Sequence, residues 1–306
     1  MTESRPHALF SFGTLRDDRV QTSLFGRTVP GAPAALVGYA TRPVVITDPE
    51  VIATSGLDVH LTLVRRLGGE VEGGVLRLTD AELAAADDYE VDDYRRRRVH
   101  LSTGENAWAY LDANPLRAAV RIAIVGDSIA YGRCDTAGGW AGRLAATHIA
   151  ADEQANRVFN LAIPGSTLQD VGVQLPALLP PRLPDTVLLA AGIDDSAQPG
   201  TCWPDQALAG LDSAAATARQ SNARLVVLGP TWLDEDRAPT EEGLRFTRQR
   251  ALTLRESMSR WCTGNHIDFL DMWEPLRDRP DLLADGLHPT AGGHELLYKY
   301  LARSLA

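Results

Sequence analysis

Cysteine is scarce in this chain: Cys134, Cys202 and Cys262 are the three in 306 residues, odd in number, widely spaced and without a Cys-x-x-Cys pair. That excludes a disulfide framework and argues against a zinc site. No metal or other cofactor is expected, and reduced thiols fit a cytoplasmic setting. No apolar run has the length of a membrane-spanning helix. The opening MTESRPHALF lacks the basic stretch and apolar core of a secretory signal. An excess of positive charge is also missing. Thirty Lys and Arg against 40 Asp and Glu leave a formal net charge of −10. Nucleic acids and anionic membranes attract basic surfaces, so neither is expected as a partner; small-molecule substrates are. Internal repeats and low-complexity segments are absent as well. The oligomeric state is not legible in the sequence.

What is present changes character near residue 115. Before it, short runs alternate apolar with polar residues, at 8–14, 33–40, 64–78, 94–102 and 107–113. They read as half-buried strands. Thr79-Asp-Ala-Glu82 is a capping-box pattern and opens one short helix over 82–90. The expectation is a small α+β unit over 1–115, a partly closed barrel. The basic run Arg95–Arg98 lies on one of its strands and reads as a solvated sheet face.

After residue 119 the pattern alternates. Apolar runs at 120–126, 157–163, 186–192, 223–229 and 266–272 have the length of buried parallel strands. Helical stretches at 140–153, 168–179, 205–220 and 246–261 separate them. Alternation of this kind predicts a doubly wound, flavodoxin-like parallel sheet over 119–306 and an α/β protein overall. Active residues then belong at the carboxyl ends of the strands.

Ser128 stands there, directly after the first of these strands. A serine hydroxyl is a poor nucleophile without an adjacent base. Asp285 and His288, three residues apart ahead of the last helix, offer that base and a carboxylate to orient it, the logic of a catalytic triad. Gly-Asp-Ser alone is weak, but the two segments in this order and on these elements are strong together. This half resembles the SGNH hydrolases, also called GDSL-type esterases. Gly126-Asp127-Ser128 resembles the nucleophile block, Asn160 to Gly165 the block whose glycine N–H serves the oxyanion hole, and Asp285-Gly-Leu-His288-Pro the final block. The resemblance implies a metal-free ester or acyl hydrolase acting through an acyl-enzyme. Gly192-Ile-Asp194-Asp195 departs from the family's Gly-x-Asn-Asp, so Asp194 stands where an asparagine amide would donate to the oxyanion. A carboxyl group can do so only when protonated.

In the first half, Gly13, Thr14 and Leu15 form a turn after the first strand, whose backbone N–H groups suit a carboxylate. An ordinary turn entering a helix is the plain alternative. Glu90 lies between Tyr89 and Tyr94, where desolvation would suit it to general-base work. Residues 7–112 resemble the γ-glutamylcyclotransferase-like, or AIG2-like, family. The carriers are Phe12-Gly-Thr-Leu-Arg16, Glu72-Gly-Gly74, Asp87-Asp-Tyr-Glu90 with Tyr94, and Tyr110. Phe12 replaces the family's tyrosine. The resemblance implies cyclisation of a γ-glutamyl amine to 5-oxoproline, with Glu90 as the base and no cofactor. The whole reads as a bifunctional enzyme. The alternatives are that one half is a substrate-binding or scaffolding module, or that the second half transfers acyl groups. His294 reads as structural, His148 as a surface or core residue, Cys134 as a packed thiol, and Trp140 and Trp203 as packing, with the lining of an acyl pocket as the alternative.

Overall fold

Periodicity in the sequence maps onto two separate sets of cores. The computed structural model describes residues 4–45, 59–198, 203–241 and 243–305. It divides into two units, Met1–Asn114 and Pro115–Ala306.

The first unit runs β1 (His7–Ser11), α1 (Asp18–Phe25), β2 (Ala32–Val45), β3 (Val59–Leu78), α2 (Asp80–Tyr89), β4 (Tyr94–His100) and β5 (Asn106–Asp112). Its sheet has the order β2-β3-β1-β5-β4. Only the β1–β5 pairing is parallel among these neighbours. The two edge strands approach each other: Leu36 bridges Leu101, and the Ser102 N–H donates to the Ala35 carbonyl at 2.9 Å. The sheet is therefore curled into a partly closed barrel. Alternation along β1 divides the apolar residues by face. Ala8 and Phe10 enter one core with Leu36, Val75 and Ala109, while Leu9 enters another with Leu15, Leu83, Trp108 and Tyr110. Gly73 is obligatory at the crossing of β3 and β1. A Cβ there would lie 2.5 Å from the Ser11 carbonyl oxygen and 2.6 Å from the Phe10 ring. The capping box at α2 forms in full, with Thr79 and Glu82 exchanging side-chain and backbone bonds. The turn at Gly13 leads through a 3₁₀ turn, Thr14–Arg16, into helix α1. Asp17 caps its start, and Gly26 in the left-handed region ends it.

The second unit runs β6 (Arg121–Gly126), α3 (Ser128–Tyr131), α4 (Gly139–Ala151), β7 (Arg157–Asn160), α5 (Leu168–Leu178), β8 (Thr186–Ala190), α6 (Ile193–Ala197), α7 (Asp205–Gln220), β9 (Arg224–Leu228), a two-residue hairpin pair β10 (Thr240–Glu241) and β11 (Leu244–Arg245), α8 (Arg248–Asn265), β12 (Asp268–Leu270) and α9 (Ala291–Leu305). The main sheet has the order β12-β9-β8-β6-β7 and is parallel throughout. In chain order this is the 2-1-3-4-5 arrangement, whose switch point lies between β6 and β8. Each strand sends alternate residues to opposite faces. Ile122, Ile124, Leu188 and Leu228 pack with Trp140 and Leu144 of α4 and Leu297 and Leu301 of α9. Ala123, Val125, Leu189 and Val227 pack with α5, α7 and Leu254 and Met258 of α8. Helices therefore cover both faces of the sheet. No helix among the described residues is long and apolar enough to cross a membrane.

Candidate active sites

In the second unit the chain leaves β6 at the switch point through Gly126, whose φ is +155°. A Cβ here would sit 1.9 Å from the Ala190 carbonyl oxygen. Only glycine lets the turn lie this close to β8. Asp127 then caps α3, accepting from the Ile129 and Ala130 N–H groups at 2.9 and 3.4 Å. Ser128 follows at the first helical position. Its Oγ lies 2.9 Å from His288 Nε2. His288 Nδ1 lies 2.7 Å from Asp285 Oδ2. Asp285 Oδ1 accepts from the backbone N–H groups of His288 at 2.8 Å and Leu287 at 3.0 Å. Burial alone would raise the Asp285 pKa, but these three donors outweigh it and hold the carboxyl below its ordinary value. Asp285 is thus an anion facing the imidazole.

Asp194, in the first turn of α6, is buried at the same sheet end, and so are Asp127 and Asp195. Low dielectric and mutual repulsion disfavour three charges in one place. Burial, with Asp194 close by, pushes Asp127 up to about 8. Burial pushes Asp195 up to about 7, against the bond it accepts from the Leu168 N–H. Gly165 follows β7 in a loop with φ +84° and is exposed. Asn160 ties that loop to the serine turn, donating to the Ala130 carbonyl at 3.0 Å.

Other residues singled out in the sequence fall into place around this centre. Trp140 is buried and lines, with Asp127, Ala130 and Met272, a cavity of about 20 Å³. That is room for a water molecule. Trp203 packs beside the second core, with Arg250 stacked 4.3 Å from its ring centre. His148 bonds the Val120 carbonyl at 3.3 Å. His294 is structural but close to the site. Its Nδ1 accepts from the Trp140 N–H at 3.3 Å, and its Nε2 faces the Arg133 carbonyl at 3.0 Å. Burial lowers its pKa and keeps it neutral. Cys134 departs from expectation. It is not packed but exposed, with a ligand atom within 4.8 Å of both Asp285 and His288. Its place six residues after Ser128 gave no sign of this, because a loop had to fold back to bring it there. Cys202 lies outside the described residues.

In the first unit, Glu90 ends α2 as its C-cap. Burial, with Asp87 nearby, pushes its carboxyl up to about 7. The Tyr110 hydroxyl donates to Asp87 Oδ1 at 2.8 Å, and burial with that partner keeps the phenol protonated. Arg96 pairs with Asp87 at 2.9 Å. Thr14 accepts from the Tyr89 hydroxyl at 3.2 Å, which links the turn to the end of α2. In that turn the Gly13 carbonyl accepts from the Arg16 N–H at 3.1 Å, and Leu15 is buried in the helix-side core. Arg96 and Arg98 both lie over the Trp108 ring, 4.8 and 3.8 Å from its centre. Alternate arginines of the run thus share one face.

Comparison with known proteins gives two family matches. Residues 124–296 match the GDSL-like lipase/acylhydrolase family, and residues 9–126 match the gamma-glutamyl cyclotransferase, AIG2-like family. No curated protein matches the chain. Among solved structures, the acetylxylan esterase Axe2 from Geobacillus stearothermophilus is similar at 18% identity and a TM-score of 0.49, over 60% of this chain and 93% of that one. LAE5, an alpha/beta hydrolase enzyme from the metagenome of Lake Arreo, Spain, is similar at 20% identity and a TM-score of 0.48, over 61% and 94%.

Proposed function

The chain belongs to the GDSL-like lipase/acylhydrolase family and carries an AIG2-like gamma-glutamyl cyclotransferase domain ahead of that region, and on that premise we propose a bifunctional enzyme with one reaction in each unit. In the second unit, Ser128 attacks an acyl carbonyl while His288 takes its proton. Asp285 accepts from the imidazole Nδ1–H and steadies the cation that forms. His288 then protonates the leaving group, and water cleaves the acyl-enzyme by the same route. The observation that carries this reading is the hydrogen-bonded series Ser128–His288–Asp285, closed across 160 positions of sequence. Backbone N–H groups of Ser128 and Gly165 supply part of the oxyanion hole. Asp194 supplies a further donor in its protonated form. The raised pKa values of its neighbours Asp127 and Asp195 support a cluster that retains protons near neutral pH.

In the first unit a γ-glutamyl amine folds so that its own α-amine reaches the γ-carbonyl. Glu90 takes a proton from the α-ammonium and passes it to the leaving amine, releasing 5-oxoproline. Proximity contributes much of the rate. A base with a pKa of about 7 is matched to neutral pH. The Gly13–Leu15 turn and Tyr110 bind the substrate. A specific observation favours a binding-module reading of this unit instead: Phe12, in place of the family's tyrosine, packs against the barrel core and offers no hydroxyl. The fusion itself suggests consecutive removal of a γ-glutamyl and an acyl group from one small molecule in a biosynthetic sequence. Intact-mass analysis after a fluorophosphonate probe tests the serine chemistry. A single adduct that vanishes in Ser128→Ala is expected. A folded wild-type protein that takes no adduct removes the hydrolase reading.

A further inference from the structure

The segment after α3 folds back onto the serine turn. The Arg133 N–H donates to the Ser128 carbonyl at 3.0 Å, and the Asp135 N–H to the Gly132 carbonyl at 3.1 Å. Cys134 sits in this loop with φ +67°, a left-handed conformation that a non-glycine residue adopts only when its surroundings hold it. They do so from several sides. Asp135 pairs with Arg143, which also reaches Glu295 of α9 at 2.7 Å. His294, fully buried on the same helix, holds the Arg133 carbonyl. The result is an exposed thiol fixed beside the serine centre. Ligand atoms of Cys134, Asp285 and His288 all lie within 4.8 Å of one another. Nothing in the acyl chemistry uses the sulfur.

A thiol, an imidazole and a carboxylate are a donor set for one class of ligand. Zn²⁺ takes Cys sulfur at about 2.3 Å, and His nitrogen and carboxylate oxygen at about 2.0–2.2 Å, and three protein ligands leave its fourth position open to water. Hard cations such as Mg²⁺ and Ca²⁺ prefer oxygen alone. We propose that Cys134, Asp285 and His288 form a site for a thiophilic divalent cation of the Zn²⁺ class, which reversibly switches off Ser128. Binding exchanges the thiol proton for the metal and releases that proton to water, with no change of oxidation state. At His288 Nδ1, which faces Asp285 at 2.7 Å, the cation takes the place of the ring proton, which moves to Nε2 and leaves no lone pair there to accept the serine proton. The base is then lost. The switching rests on the serine reading above, but the binding does not.

Co²⁺ serves as a spectroscopic stand-in for Zn²⁺ and is added to the full-length protein. A near-ultraviolet thiolate-to-cobalt absorption is expected in the wild type and absent in Cys134→Ser and Cys134→Ala. Zn²⁺ is expected to slow fluorophosphonate labelling of Ser128, and a chelator to restore it. The Cys134 variants label normally without metal and lose Zn²⁺ sensitivity by roughly tenfold or more, the factor that even an outer-shell partner costs a metal site. No absorption in the wild type, or the same absorption in both variants, overturns the site. Absorption as expected with labelling untouched by Zn²⁺ overturns the switch. A wild type that never labels, with or without metal, points instead to failure of the serine reading.

Discussion

At the scale of single residues, chemistry here is set by where carboxyl groups are buried. Asp285 is held anionic by three donors, while Asp127 and Asp195 are driven towards the neutral acid. Asp194 is buried beside them, where the family's asparagine would be a permanent donor. An ionised Asp194 would repel the developing oxyanion. Asp194→Asn is therefore expected to raise esterase turnover most at alkaline pH, by up to about 10²-fold to 10³-fold, the usual worth of one oxyanion donor. A pH series of kcat in both proteins reads this, and equal profiles would remove Asp194 from the oxyanion site. Glu90 gives the opposite test in the first unit. A base must be ionised to act, so kcat/KM for a γ-glutamyl amine should rise as pH climbs through about 7 and level off above it. Glu90→Gln should lose about 10²-fold to 10⁴-fold. Unchanged cleavage would show that the base lies elsewhere.

At the scale of elements, local sequence was informative wherever a residue's role is local. Thr79 and Glu82 announce α2, and the structure forms both halves of the box. Removing such a cap costs about 1 kcal/mol. Thr79→Ala should lower the unfolding free energy of the first unit by that amount, read as a lower denaturant midpoint at unchanged slope; no shift would mean the cap is energetically idle. Element ends were less legible. The apolar run 157–163 yields a strand only to Asn160, because that side chain accepts from the Ala162 N–H at 3.1 Å and turns the chain. The run 266–272 yields only Asp268–Leu270. Its first residue, His266, is instead the left-handed cap of α8, with φ 53°. Periodicity marks apolar positions, but it does not see a side chain bonding its neighbouring backbone.

At the scale of the whole molecule, two sets of cores share no residue. The second unit also ties its own ends together, through the Leu116 N–H and the Leu305 carbonyl at 3.1 Å. A chain reduced to residues 115–306 should fold cooperatively and take the fluorophosphonate adduct at the rate of the full protein. An insoluble or unlabelled fragment would show that the serine centre depends on the first unit.

The sequence alone determined the alternation of strands and helices, the point where composition changes, and the residues proposed for chemistry. These follow from patterns a few residues long, and local sterics and side-chain periodicity act at that range. Only the tertiary structure decided that Ser128 and His288 meet, that three aspartates crowd one sheet end, and that Cys134 reaches Asp285 and His288. Each of these depends on burial and long-range packing, which set distance and dielectric together, and neither quantity is carried by any short stretch of chain.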